Sequence, residues 1–175
     1  MDDKRTLLRH FLAALAYRAQ KGLRDAPANF GSFRVAEGVR SPAELMRHMT
    51  SVLGYARTFF VGGTYWPDDL PSLQDEVARF HHMLQDLARV LEGGAELREG
   101  MTAERLLQRP FSDAMTHAGQ IAMLRRLAGY PVPPENFIVA HINATRLGPD
   151  QAEPVSPDAV WPEAPLTWAP PSKKR

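Results

Sequence analysis

The sequence predicts an all-α protein, a four-helix bundle followed by an irregular proline-rich tail. Three observations carry this. Apolar residues recur at spacings of three and four in four separate stretches, as in helices that bury one face. Ser41-Pro42-Ala43-Glu44 has the form of a capping box with proline at the first helical position. No stretch alternates apolar and polar residues as a half-buried strand would.

The first helix is expected over residues 4–22, where Leu7, Leu8, Phe11, Leu12, Leu15 and Ala19 form the stripe and Gly22 lies near the end. Residues 23–40 hold Pro27, Gly31 and Gly38 and read as a long connection. The second helix starts at the capping box. Its stripe is Leu45, Met49, Val52, Leu53, Ala56 and Phe60, and Gly62-Gly63 stops it. After Tyr65-Trp66-Pro67 and Pro71, Ser72 with Asp75 marks the cap of a third helix. Val77, Phe80, Leu84, Leu87 and Leu91 give its buried face, and Gly93-Gly94 ends it. Residues 102–108 read as a short helical piece. Pro110 then fits the first turn of a fourth long helix that runs to Gly129. Phe137, Ile138, Val139 and Ile142 can add a short turn packed on the bundle.

This divides the chain into a bundle domain, 1–148, and a tail, 149–175, whose Trp161 and Trp168 argue that it packs on the bundle or on a partner subunit. At roughly 3.3 Å per residue, both the first and second connections can cross much of a bundle's length, so an up-down-up-down order is not forced.

Composition narrows function. A net charge of +1 creates no strong field for nucleic acid or an acidic membrane. No segment reaches the roughly 18 apolar residues of a membrane span, and the N-terminus lacks the form of a signal peptide. A cytoplasmic protein is expected. The chain has no cysteine, so a metal must be held by His, Asp or Glu, and any thiol must come from a cofactor or substrate. Phosphate-loop, dinucleotide and G-x-S-x-G patterns are absent.

One constellation carries chemistry. Asp113 and His117 stand four apart on the fourth helix, with Cβ atoms about 5–6 Å from each other, so both can reach one ion. His48, between Leu45 and Val52, points near the apolar stripe of the second helix and can supply a third ligand. A lone histidine there would be a neutral core residue bonded to a carbonyl. Three inward polar groups on two helices are costly to bury unless they meet. His81 and His82 are alternative candidates, read as one boundary and one surface residue. His10 and His141 read as structural or surface residues. Gln120 can line the site or orient a ligand, and Tyr55 can donate a proton or simply pack. Gly119 is expected at a close helix contact. Arg125-Arg126 can bind an anion, or else form a solvated helix end.

These residues resemble a known family. The DinB-like superfamily of four-helix bundles carries a histidine on its second helix and an H-x-x-x-H or E-x-x-x-H pair on its fourth. Here His48 sits in AELMRHMTSVLGYA, and Asp113-x-x-x-His117 is followed by Gly119-Gln120. The segments SPAELMRHM and THAGQIAMLRRLAGYPVPPENF are similar to one subgroup, and the likeness covers roughly residues 5–150. The resemblance implies an up-down-down-up bundle, a homodimer and a divalent metal on His48, Asp113 and His117. Zinc or nickel is expected; manganese or iron also suits a two-histidine, one-carboxylate set. It further implies a metal-dependent hydrolase or a low-molecular-weight-thiol transferase acting on a small molecule. Asp113 departs from the family's His or Glu, and its shorter side chain must approach closer or bind through water. The competing expectation is a non-enzymatic dimeric bundle that binds a small apolar ligand or a protein partner and keeps only a degenerate metal site.

Overall fold

A computed structural model describes residues 3–155, and these are helical with no strand among them. Three long helices come first: α1 (Asp3–Leu23), α2 (Pro42–Val61) and α3 (Leu73–Glu92). A fourth rod follows in three consecutive pieces: α4 (Ala103–Leu106), a π-helical turn (Leu107–Phe111) and α5 (Ser112–Leu127). Among the described residues, no helix is long and apolar enough to cross a membrane.

The caps form where the sequence places them. The Ser41 hydroxyl accepts from the Glu44 amide at 3.4 Å, and the Glu44 carboxylate accepts from the Ser41 amide at 2.8 Å. This satisfies two of the amides that a helix start leaves unpaired. Ser72 caps α3 through the Asp75 amide, and Thr102 caps α4 through the Arg105 amide. Gly62 and Gly63 take positive φ angles of 79° and 78°, which end α2.

The start of the fourth rod differs from the sequence reading. Pro110 is not in a first turn; it lies inside a helix that began at Ala103. Proline has no amide to donate and crowds the carbonyl four residues earlier. Around it the rod widens into a π turn, in which the Ser112 amide donates to the Leu107 carbonyl, five residues back, and the Ser112 hydroxyl donates to it at 2.6 Å.

The core joins Leu12, Leu15, Met46, Met49, Leu53, Phe80, Leu84, Leu87, Phe111 and Ile121 in one cluster. Leu7, expected on the apolar stripe of the first helix, is exposed instead, and so is Leu127. α2 packs chiefly on α3, and α1 on α5, while α2–α5 and α1–α3 contacts close the ring. Three pairs mark the α1–fourth rod contact: Lys4 with Glu104, Phe11 stacked on Phe111, and Gly22 against Ile121. Arg5 donates to the Leu91 carbonyl where α1 meets the end of α3.

Both long connections are packed. The first holds a 3₁₀ turn, Phe30–Ser32, and crosses the start of α3, where Gly31 approaches Leu73 so closely that a Cβ would stand 2.8 Å away. The second runs back along α2. The Tyr65 ring covers Gly54, at 2.1 Å from where a Cβ would be, and Asp69 pairs with Arg47.

Beyond α5, Phe137–Val139 forms the expected 3₁₀ turn. Phe137 carries its packing, with the Arg18 guanidinium 4.0 Å from the ring centroid, while Ile138 faces solvent. Buried Glu135 accepts from Tyr17, and from Lys21 at 2.8 Å. Arg125, read as a solvated helix end, is buried. It donates to the carbonyls of Gly22, Arg24 and Tyr130, because the ends of α1 and α5 meet there and each leaves carbonyls unpaired. Arg24 holds the first tail residues through the carbonyls of Gln151 and Ala152 and the Glu153 carboxylate. The expectation for Trp161 and Trp168 lies outside the described residues.

Candidate metal centre

His48 lies in the second turn of the well-capped α2, and Asp113 and His117 lie in the first turns of α5. The contact between these helices brings all three together. One ligand atom from each lies within 4.8 Å of the others, so the group can hold a metal ion. His117 Nε2 is 3.3 Å from Asp113 Oδ1, and His48 Nε2 is 3.8 Å from Asp113 Oδ2. The two imidazoles meet edge to face, with centroids 4.7 Å apart. Ligands about 2.1 Å from one zinc ion stand about 3.4 Å apart at a tetrahedral angle. The two distances to Asp113, one to each carboxylate oxygen, lie near that edge length.

The hydrogen bonding also favours a cation. His117 Nδ1 lies 2.7 Å from Gln120 Oε1. A carboxamide oxygen only accepts, so Nδ1 carries the proton and donates. The other ring nitrogen, Nε2, then faces the Asp113 carboxylate. A positive charge at this position, a proton on the ring or a metal ion, is stabilised by the carboxylate. Among the described residues, His48 has no backbone carbonyl as a hydrogen-bond partner of the kind that would mark a simple core histidine. Burial lowers its pKa, the charges of Arg40 and His117 act in the same direction, and Asp113 opposes them. The imidazole is thus held in its neutral form, the form that ligates metal.

Exposure is graded across the site. The His117 side chain is nearly enclosed at 9%, while Asp113 stands at the mouth at 41%. Two clefts meet at His48. One, of about 400 Å³, includes Ser51, Val52, Tyr55, Trp66 and Asp113 in its lining. The other, of about 370 Å³, is polar and includes Arg34, Arg40, Glu44 and Arg47.

The remaining candidates separate cleanly. Gln120 orients His117 and does not line either cleft. Tyr55 is half exposed on the cleft wall and rests edge-on against Phe59, rather than packing inside the bundle. Gly119 meets nothing within 4 Å, so the expected close helix contact is absent. His81 is buried away from the site and its Nδ1 donates to the Leu147 carbonyl at 2.7 Å, pinning the segment after the bundle. His10, His82 and His141 are exposed.

The sequence reading missed Arg98, Arg109, Tyr65 and Trp66, which share the larger cleft with His48. Their chain positions are scattered over two connections and the π turn, so no local pattern unites them. The available signal was Gly54, a glycine inside a helix, which marks a close approach by another part of the chain. No protein-family model, curated protein or solved structure matches this chain in the comparisons made.

Proposed function

We propose that this chain is a DinB-like, divalent-metal-dependent enzyme, a hydrolase or a low-molecular-weight-thiol transferase. The observation that carries the reading is the convergence of His48 Nε2, Asp113 and His117 Nε2 from two helices, with one ligand atom of each within 4.8 Å of the others. The two-histidine, one-carboxylate set suits zinc or nickel, and also manganese or iron. Such an ion, when bound, supplies Lewis acidity that polarises an electrophile and lowers the proton affinity of water or a thiol.

The chain's own groups have distinct parts in this reading. Gln120 fixes the tautomer and ring plane of His117. Burial keeps His48 neutral. Tyr55 presents its phenol on the wall of the larger cleft, where it can donate to a bound molecule.

The DinB-like, up-down-down-up order is part of the proposal, and paired contacts support it. Lys4–Glu104, Phe11–Phe111 and Gly22–Ile121 advance in the same sense along α1 and the fourth rod. Tyr65 on Gly54 and Asp69 on Arg47 send the second connection back along α2, so that α3 starts at the end where α2 started. A homodimer is also proposed. Exposed Met123, Leu127 and Tyr130, near the end of α5, offer apolar surface for it.

Metal analysis of protein purified without a His tag, joined to thermal melting, tests the reading. Zinc or nickel should co-purify or raise the Tm; an ion at a hundred times its Kd stabilises by about 2.7 kcal/mol. His48→Ala and His117→Ala should abolish the rise. Metal-free protein whose Tm ignores both ions would overturn the proposal.

A further inference from the structure

We infer that the larger cleft takes a small organic acid, with a planar apolar body along the aromatic wall and an anionic group paired with Arg98 and Arg109. This deepens the metal-enzyme reading and rests on it for the reacting end, which would lie at His48 and Asp113.

The charge pattern points to an anion. Arg98 and Arg109 line the same cleft, and among the described residues neither has a carboxylate within ion-pair distance. Arg34 and Arg47, in the neighbouring cleft, are neutralised by Glu44 and Asp69. Among the described residues, the one carboxylate lining the larger cleft is Asp113, at its metal end. A molecule with its negative group at Arg98 is placed away from that end.

Arg98 is also held in place before any ligand arrives. Its guanidinium lies 4.4 Å from the Phe59 ring centroid, and its amide donates to the Phe59 carbonyl at 2.9 Å. Stacking on a ring uses the guanidinium face and leaves its edge donors open for a carboxylate. Little ordering entropy remains to be lost on binding.

The body of the ligand follows from the walls. Tyr55, Tyr65 and Trp66 border the cleft, and Trp66 is 84% exposed, an unusual setting for an indole with so much apolar surface. A planar ring laid against these residues would cover it. The helical rise of about 1.5 Å per residue puts Tyr55 about 10 Å beyond His48, and Phe59, beneath Arg98, about 16 Å beyond it. Arg98, over Phe59, is thus the arginine farther from the ligands and Arg109, about one turn before Asp113, the nearer; an anion at Arg98 is separated from the reacting centre by roughly the length of a substituted aromatic acid. The volume of about 400 Å³ suits such a molecule.

The test uses three probes of one shape: 4-phenylbutyrate, 4-phenylbutan-1-ol and 4-phenylbutylamine. Each is titrated calorimetrically into the full chain, once with zinc and once after chelation. The acid should bind about tenfold or more tighter than the alcohol, and the amine most weakly. Arg98→Gln with Arg109→Gln should erase that preference, while Arg98→Lys with Arg109→Lys should keep part of it. His48→Ala should leave it intact. A preference that survives the glutamine pair overturns the inference. So does one that vanishes with His48→Ala or on chelation, because the acid would then be sitting on the ion. Absence of detectable acid binding overturns it as well. If the preference depends on the arginines in protein that never takes up zinc or nickel, this inference stands and the metal reading fails.

Discussion

His117 presents Nε2 to the Asp113 carboxylate because its other nitrogen is held by Gln120, Nδ1 to Oε1 at 2.7 Å. Gln120 is exposed, so its replacement should leave the fold unchanged. Gln120→Ala should weaken zinc affinity about 10–100-fold, the usual cost of losing a partner behind a ligand. Gln120→Glu should recover most of it. Competition with a chromogenic chelator gives the affinities, and equal values for wild type and Gln120→Ala would sink the assigned role.

Two glycines should respond oppositely to the same change. A Cβ on Gly54 would overlap the Tyr65 ring, so Gly54→Ala should displace the second connection and cost about 2–4 kcal/mol, as overpacking does at its upper end. A Cβ on Gly119 meets nothing within 4 Å, so Gly119→Ala should stabilise α5 by about 0.5–1 kcal/mol. Urea midpoints of the two variants check both signs.

A similar contrast divides the arginine pair. Arg125→Met removes three hydrogen bonds, to the carbonyls of Gly22, Arg24 and Tyr130, and should cost about 2–4 kcal/mol. Arg126→Ala, on the exposed side, should fall within about 0.5 kcal/mol of wild type. Denaturant melts that give equal losses would contradict the packing described for α1 and α5.

These cases show how far the sequence could be read. α2 and α3 were legible at both ends because caps and glycine stops are local chemistry, written within four residues of where they act. His48, Asp113 and His117 were legible because helical spacing fixes which side chains share a face. Arg125 was not, since the carbonyls it satisfies belong to the far end of α1 and to Tyr130. Nor was the start of the fourth rod. Pro110 fits a first turn and a π turn equally well, and only the continuation from Ala103 decides between them. The cleft wall stayed hidden because Tyr65 and Trp66 reach α2 through the path of a connection, which has no periodicity to read.

Acid should loosen the fold through a histidine remote from the site. Burial lowers the pKa of His81, although its hydrogen bond to the Leu147 carbonyl opposes that shift. Its folded pKa is therefore below the unfolded value of about 6.5. As pH falls through about 6.5, the unfolded chain gains a proton that the folded chain resists, and stability drops until the folded pKa is passed. His48, whose pKa is also lowered, adds to the same slope. Between about pH 7 and pH 5, His81→Gln should show a shallower loss of stability than wild type. Parallel curves would show that His81 does not titrate in this way.

The π turn at Leu107–Phe111 sets the rotational phase of everything after it. Each residue of an α-helix advances the azimuth by about 100°, so one residue absorbed before Ser112 decides which way Asp113 and His117 point. Were the same residues of the rod wound as continuous α-helix, with none absorbed, everything after the turn would rotate by about 100°. The rod's downstream apolar face would then be tugged out of phase together with both ligands. The same offset couples the aim of the ligands to the seating of Ile121 and Leu124 in the core, so the chain cannot readily shed its site and keep its packing. Metal geometry and hydrophobic register are, in this rod, a single inherited setting.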